Sequence, residues 1–276
     1  NPPYSNNLLA ARQEYQKYAG EIFDDDKSYE NQMALFLEWY IFDRIEPAHD
    51  QTVLELIINN GKGAPPDLLK IINVFISHIH GLFIIKKIKK HCVKAINLFN
   101  NEQYNVVEPS GKLYFSKNSI FEGRLLAYEN SYYFTGNFCF HPEGSKKFIK
   151  SEIKKISSFQ KINAQELKLQ NIKLKNENKK LNKTISSIEK LQEKIQRLNS
   201  EKKIFKIKND LSELESIKKK QEEDYSLLKQ NINTFTHEKI IRESQSIQAR
   251  LMLKLSSMRL LLERSRNIEL KDIYKN

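Results

Sequence analysis

The spacing of apolar residues changes rhythm along this chain, and each rhythm predicts a different kind of element. Up to about Ser77 the spacing is helical. A first helix is expected from Ser5 to Ala19, with Leu8, Leu9, Arg12, Tyr15 and Tyr18 near one face. A second follows Asp24, Asp25 and Asp26, with Asp26 or Ser28 as its N-cap and Glu30 in its first turn. Its stretch from Met33 to Phe42 carries a single charge, Glu38, so it is apolar nearly all round and belongs, with Trp39, at the centre of a core. Thr52 and Glu55 have capping-box spacing for a short helix from Thr52 to Ile58, stopped by Asn59-Asn60-Gly61-Lys62-Gly63. Pro65 and Pro66 open another helix, from Asp67 to about Ser77.

From His80 the rhythm shortens. Leu82 to Ile85, Val93 to Leu98, Tyr104 to Val107, Leu113 to Phe115, Arg124 to Tyr128 and Tyr132 to Phe140 read as short strands with Asn and Glu turns between them. So many short strands in so few residues suggest a small antiparallel barrel that closes on itself and buries its edges. His141-Pro142-Glu143-Gly144 ends the last strand.

The second half returns to helix and is uninterrupted. All 8 Gly and all 7 Pro lie before Ser145, so nothing in the following 132 residues breaks a helix. With Ile204 at heptad position a, the a and d sites are Ile204, Ile207, Leu211, Leu214, Lys218, Gln221, Tyr225, Leu228, Ile232 and Phe235. This is the spacing of a coiled coil. Ile188, Leu191, Ile195 and Leu198 keep it upstream, but Leu198 and Ile204 are six apart, so the register slips and a bend is expected near Ser200 to Lys203. Between Leu167 and Leu181 the seam thins, with Asn171 and Asn178 at the partnering sites. Asn231 to His237 is poor in helix formers, and Thr234 and Thr236 can cap a new helix near Glu238, so the stalk has a second place to fold back. Beyond it, Ile240, Ile247, Leu251, Leu255, Met258 and Leu262, with Met252, Leu260 and Leu261, make a face broad enough for more than one neighbour. Arg250, Arg259, Arg264 and Arg266 flank that face, and a membrane surface is the other partner such a stripe could have.

The resulting expectation is an α+β head followed by a long α-helical coiled-coil stalk. Its parts are a helical subdomain (1–79), a small SH3-like β-barrel (80–144), the coiled coil (145–235) and a C-terminal amphipathic helix (236–276). The seam Ile204, Ile207, Leu211, Leu214, Tyr225, Leu228, Ile232 and Phe235 is expected to drive self-association into a homodimer or helical bundle.

Charge sharpens this picture. Residues 1–144 hold 14 Lys and Arg against 17 Asp and Glu, and residues 145–276 hold 32 against 17, so the net charge of +12 belongs to the second half. A basic rod attracts polyanions by its long-range field, although Lys interspersed with Glu is also the ordinary surface of a solvated helix. Two cysteines and the absence of a signal-like or membrane-length apolar run point to a reducing cytoplasm without a disulfide framework. The first residue is Asn, so a short preceding piece is expected.

Candidate chemistry is sparse. His78, His80, His91, Cys92, Cys139 and His141 can all ligate metal, but no Cys-x-x-Cys pair is present, and a zinc site needs four ligands to converge. No phosphate loop, dinucleotide fingerprint or nucleophile elbow occurs, so neither a cofactor nor an enzymatic activity is expected. Basic and aromatic residues do coincide. Lys86, Lys87, Lys89, Lys90 and Lys94 fall on one expected hairpin, and Tyr104, Tyr114, Tyr128, Tyr132 and Tyr133 fall on later strands, the combination that binds single-stranded nucleic acid by stacking and phosphate contact. Those lysines with Tyr132 are the candidate surface for nucleic acid or for another partner.

Several pieces of the head resemble a known group. Phe36-Leu37-Glu38-Trp39-Tyr40-Ile41-Phe42-Asp43-Arg44, Thr52-Val53-Leu54-Glu55-Leu56, Gly123-Arg124-Leu125 and Phe138-Cys139-Phe140-His141-Pro142 are similar to an uncharacterised bacterial family. Its members pair an aromatic FLEWYxFDR helix with a small SH3-like barrel. The resemblance covers about residues 1–150 and implies the fold, with no activity attached. Similar proteins can carry a Cys-rich zinc tail of the SEC-C type, which this chain replaces by its long helices. The expected function is therefore a cytoplasmic, non-catalytic adaptor or scaffold with an unidentified protein partner. The alternative is a nucleic-acid-binding protein that uses the basic barrel and stalk.

Overall fold

The computed structural model describes residues 2–60, 65–107, 115–234, 236–265 and 267–275, with side chains for all of these except 2–6, 60, 66–69, 237 and 238. The expected strand positions Leu113 and Tyr114, the stop at Gly61 to Gly63, the seam residue Phe235 and Arg266 lie outside the described residues. Two compact units result, one of residues 1–156 together with 246–276, the other of residues 157–245.

The first unit opens with α1 (Pro2–Ala19) and α2 (Tyr29–Phe42). The face α1 buries is Ala11, Tyr15 and Ala19, while Leu8, Leu9 and Tyr18 of the expected face are exposed. Ala11 and Ala19, two turns apart on one face, let the backbone approach its neighbours, and Tyr15 between them fills the gap. Gly20, at φ +88, ends the helix where an added Cβ would meet the Ser257 hydroxyl at 3.3 Å, a place only glycine fills without strain. Ser28 is the N-cap residue of α2 but its side chain makes no cap bond. Gln32, Leu35 and Phe36 are buried in α2, and Trp39 is half-buried against Tyr15, ring centroids 5.3 Å apart.

A short hairpin of β1 (Ile45–Glu46) and β2 (Gln51–Thr52) leads to α3 (Val53–Asn60) and α4 (Pro66–Ile76). The capping box forms as its spacing requires, with the Thr52 N–H on Glu55 at 2.7 Å and the Glu55 N–H on the Thr52 hydroxyl at 3.2 Å.

Six further strands follow: β3 (Ile79–Lys89), β4 (Cys92–Asn97), β5 (Gln103–Val107), β6 (Ile120–Tyr128), β7 (Ser131–Phe134) and β8 (Cys139–His141). The order β3-β4-β5-β7-β6 closes into a small five-stranded barrel because β6 also pairs with β3, and β8 adds to the free end of β6. All pairings are antiparallel except the parallel contact of Val106 with Tyr132. The run expected from Tyr132 to Phe140 is two strands, divided by a turn in which Gly136 takes φ +102.

Alternation then assigns each strand residue a side. Phe83, Ile85, Val93, Ala95, Tyr104, Val106, Phe121 and Leu125 fill the barrel, with Tyr132, Phe134, Phe138 and Phe140 packed against them. From the opposite face of the sheet, Leu82, Ile84 and Ile120 join a second core with Ile149, Ile153 and Ile156 of α5 (Lys146–Gln196) and Leu251, Met252, Leu255 and Met258 of α7 (His237–Arg264). Most of the broad apolar face of α7 is thus occupied, although Leu261 is exposed, and the chain from Ser246 on, including α8 (Leu270–Ile273), belongs to the same unit as the barrel.

The second unit contains the rest of α5, all of α6 (Glu201–Thr234) and the start of α7. Helix stops fall at both expected places, after Gln196 and after Thr234, and the Thr236 hydroxyl caps α7 by accepting the Lys239 N–H at 3.3 Å. Along α6 the half-buried residues are Ile204, Ile207, Leu211, Leu214, Lys218, Gln221, Tyr225, Leu228 and Ile232, and all its other described residues are exposed. In α5 the same spacing runs through Leu167, Leu174, Leu181 and Ile188, with Gln170 and Glu177 in between. Asn171 and Asn178 are exposed and off the seam, because the intervening site is three residues after Leu167 and Leu174, not four. The Asn171 amide donates to the Leu167 carbonyl at 2.9 Å.

Candidate functional site

The sheet face that looks away from the barrel interior carries charges where apolar residues would be expected. Glu122 and Arg124 sit two apart on β6, and the antiparallel register sets His80 of β3 opposite Arg124. The end of α2 brings Glu38 and Asp43 against them. Arg124 is 1% exposed. Its guanidinium grips Asp43 through two bonds of 3.2 and 2.5 Å, lies 3.5 Å from Glu38, and stacks over the Phe42 ring at 4.7 Å. His80 bridges the carboxylates, with Nδ1 at 3.4 Å from Asp43 and Nε2 at 3.0 Å from Glu122. Ser256 of α7 reaches Glu122 at 3.4 Å, and Asn137 donates to Glu38 at 2.9 Å.

The electrostatics follow from this packing. Burial would raise the Asp43 carboxyl, but His80 and Arg124 outweigh it and hold it well below the usual carboxylate range. Burial and Arg124 would lower the His80 imidazole, yet Asp43 and Glu122 carry it up to about 9, so it is a cation at neutral pH. His78, beside the same group, goes the other way: burial and Arg124 push it down to about 4. Burial, then Glu122, Cys139, Asp43 and Glu38, raise the Tyr15 hydroxyl well above its ordinary value. Next to Tyr15, Trp39 and Arg124 is a cavity of about 10 Å³, the size of one water. The ionised groups face one another around a space too small for a substrate. Nearby, Arg44 joins Glu14 of α1 at 2.8 Å to Glu46 of β1 at 2.6 Å.

The structure scatters the other ligand-capable residues. Cys139 and His141 are buried on β8, where burial lifts the thiol to about 12 and lowers the imidazole to about 4. His91 and Cys92 lie at the turn of the β3–β4 hairpin. Among the described residues, no group of three or more His, Cys, Asp and Glu is arranged to hold a metal ion. No described helix is long and apolar enough to cross a membrane.

The basic hairpin is present. Lys86, Lys87, Lys89 and Lys90 are exposed, Lys94 is half-buried, and Lys87 is directly paired with Lys94 across the strands. Among the described residues no carboxylate pairs with any of the five. Tyr132 points inward, packed on the barrel core and edge-on to the buried Tyr104 at 5.0 Å. Alternation places Tyr133 on the outer face instead, and Tyr128 is exposed.

The ion cluster itself escaped the sequence reading. Glu38, Asp43 and Arg124 lie within the segments that carry the family resemblance, where nothing local assigns them a role, and Glu122 lies just outside those segments. Its signal was two opposite charges two residues apart in an otherwise apolar strand.

Fold and site together define a small-barrel protein with a helical jacket and long C-terminal helices, held by a buried ion cluster. The family model described as "Family of unknown function (DUF7986)" matches residues 8–182, and the chain belongs to that family. No curated protein and no solved structure matches the chain.

Proposed function

We propose that this protein is a non-catalytic cytoplasmic adaptor whose barrel presents its basic hairpin to an acidic partner protein. The observation that carries this reading is the juxtaposition of Lys87 with Lys94 beside Lys86, Lys89 and Lys90. Like charges directly opposite one another on a sheet are destabilising, and here no described carboxylate relieves them. A partner with carboxylates would. The closed ion cluster fits a structural role, since its charges satisfy one another and leave room for one water.

The helices of the second unit are read as an antiparallel coiled-coil hairpin closed within one chain. What supports this reading is that the a and d positions of α6 are half-buried while its other described residues are exposed, and that 197–200 is short enough to join antiparallel neighbours. In this reading the residues Ile204 to Ile232 hold the hairpin shut and are not free to pair with another copy.

Tyr128 and Tyr133 on the outer face favour a second reading, single-stranded nucleic acid, in which bases stack where phosphates meet the lysines. Capture from native cells with the full chain, beside the variant with Lys86, Lys87, Lys89 and Lys90 all replaced by Ser, separates the two. A protein retained by the wild type, lost by the variant and insensitive to nuclease supports the adaptor. Recovery of nucleic acid that is lost in both that variant and Tyr133→Ala supports the second reading. Equal capture by all three rules out the hairpin as the binding surface.

A further inference from the structure

A cleft of about 400 Å³ opens in the first unit between the start of α2, the β7–β8 connection with β8, and the last turns of α7. It lies apart from the basic hairpin. Gln32 and Ser28 line it from α2, Phe138 and Phe140 from β8 and the residues before it, and Arg259 and Glu263 from α7. The volume is in the range of small-molecule sites.

The polar groups of this cleft are left incomplete. Gln32 is 2% exposed, yet its amide oxygen has no hydrogen-bond partner, and the Ser28 hydroxyl is likewise buried and unpartnered. Buried polar groups in native proteins are almost always paired, so each orphan asks for a ligand group or an ordered water. Arg259 is only loosely held, with Glu263 at 3.9 Å. Glu263 in turn accepts the Ser28 N–H at 3.0 Å.

Sorted by chemistry, the cleft has two poles. The Gln32 oxygen and the Glu263 carboxylate call for a cationic or N–H donor, and the Arg259 guanidinium and Ser28 hydroxyl call for an anionic acceptor. Phe138 and Phe140 supply an apolar wall between protein core and cleft. We infer that the cleft is a binding site for a free α-amino acid with an apolar side chain, whose ammonium meets Gln32 and Glu263 and whose carboxylate meets Arg259 and Ser28. A molecule with only one of the two charges would leave one pole unanswered.

The test is isothermal titration of the full chain with L-leucine and with L-phenylalanine at millimolar concentration. Each is compared with its N-acetyl derivative, which lacks the ammonium, and its amide, which lacks the carboxylate. Saturable one-to-one binding of at least one amino acid is expected, weakened by about tenfold or more for both derivatives and in Arg259→Met and Gln32→Leu. Arg259 is partly exposed, so Arg259→Met keeps the test decisive should Gln32→Leu fail to fold. The inference is overturned if neither amino acid binds, if binding survives in Arg259→Met, or if the derivatives bind as well as the parent.

Discussion

Removing one cation from the buried ion cluster should unfold a disproportionate part of the first unit. In Arg124→Met the aliphatic stem is kept, but Asp43 loses a bidentate partner and Glu38 loses the charge 3.5 Å from it. Breaking a buried ion pair from one side costs about 3–5 kcal/mol. Asp43 is one-fifth exposed and His80 still faces it, which places the loss near the lower end, about 3 kcal/mol. Against a total of about 5–15 kcal/mol this is a large fraction. Trp39, the single tryptophan, lines the same water-sized cavity, so its fluorescence reports this unit and not the second. Urea titration followed at Trp39 should show the midpoint falling by about 1 M or more, given a slope of about 1–3 kcal/mol per molar. Arg124→Lys keeps the charge without the fork and should lie between wild type and Arg124→Met. A midpoint within about 0.3 M of wild type in Arg124→Met would refute the claim that the cluster holds this unit together.

The same cluster predicts a pH profile. His80 titrates higher folded than unfolded, so its stabilisation is complete below about pH 6.5 and is lost as pH rises through about 9. Between pH 7 and 10 the urea midpoint should fall by the equivalent of about 2 kcal/mol more in wild type than in His80→Asn; equal falls would show that Asp43 and Glu122 do not stabilise a protonated His80. Asp43 has the opposite sign, its contribution being present above about pH 4 and lost as pH falls further, so Asp43→Asn should flatten the acid limb of the profile. Thr52→Ala removes the cap of α3 and should cost about 1 kcal/mol, read as faster amide exchange confined to Val53–Asn60; unchanged exchange there would mean the capping box contributes nothing.

Local patterns carried much of this fold in the sequence. The capping box at Thr52, proline at the start of α4, the change to short strands near His80 and the breaks on either side of α6 all depend on residues within a few positions of one another. What could not be read there depends on packing between distant segments. Leu8, Leu9 and Tyr18 look like a core face by composition, yet close approach of α1 selects Ala11, Tyr15 and Ala19. Tyr132 and Tyr133 are adjacent in sequence, and only the pairing of β7 with β5 and β6 decides which of them turns inward. Residues 246–276 join the barrel across more than a hundred positions of chain, which no window of sequence reveals. The ion cluster is the extreme case, since Glu38, Asp43, His80, Glu122, Arg124 and Ser256 come from four separate elements and the loop after α2.

The proposed reading of the second unit stands or falls on whether the seam of α5 and α6 is closed within a single chain. Sedimentation equilibrium of the full protein from low to high micromolar concentration measures this directly. The account predicts one species at the monomer mass of 32.5 kDa throughout, and loss of helical signal without change of mass when Leu211 and Leu214 are both replaced by Asp. A mass that doubles with concentration, and returns to that of the monomer in the Leu211→Asp, Leu214→Asp variant, would contradict it.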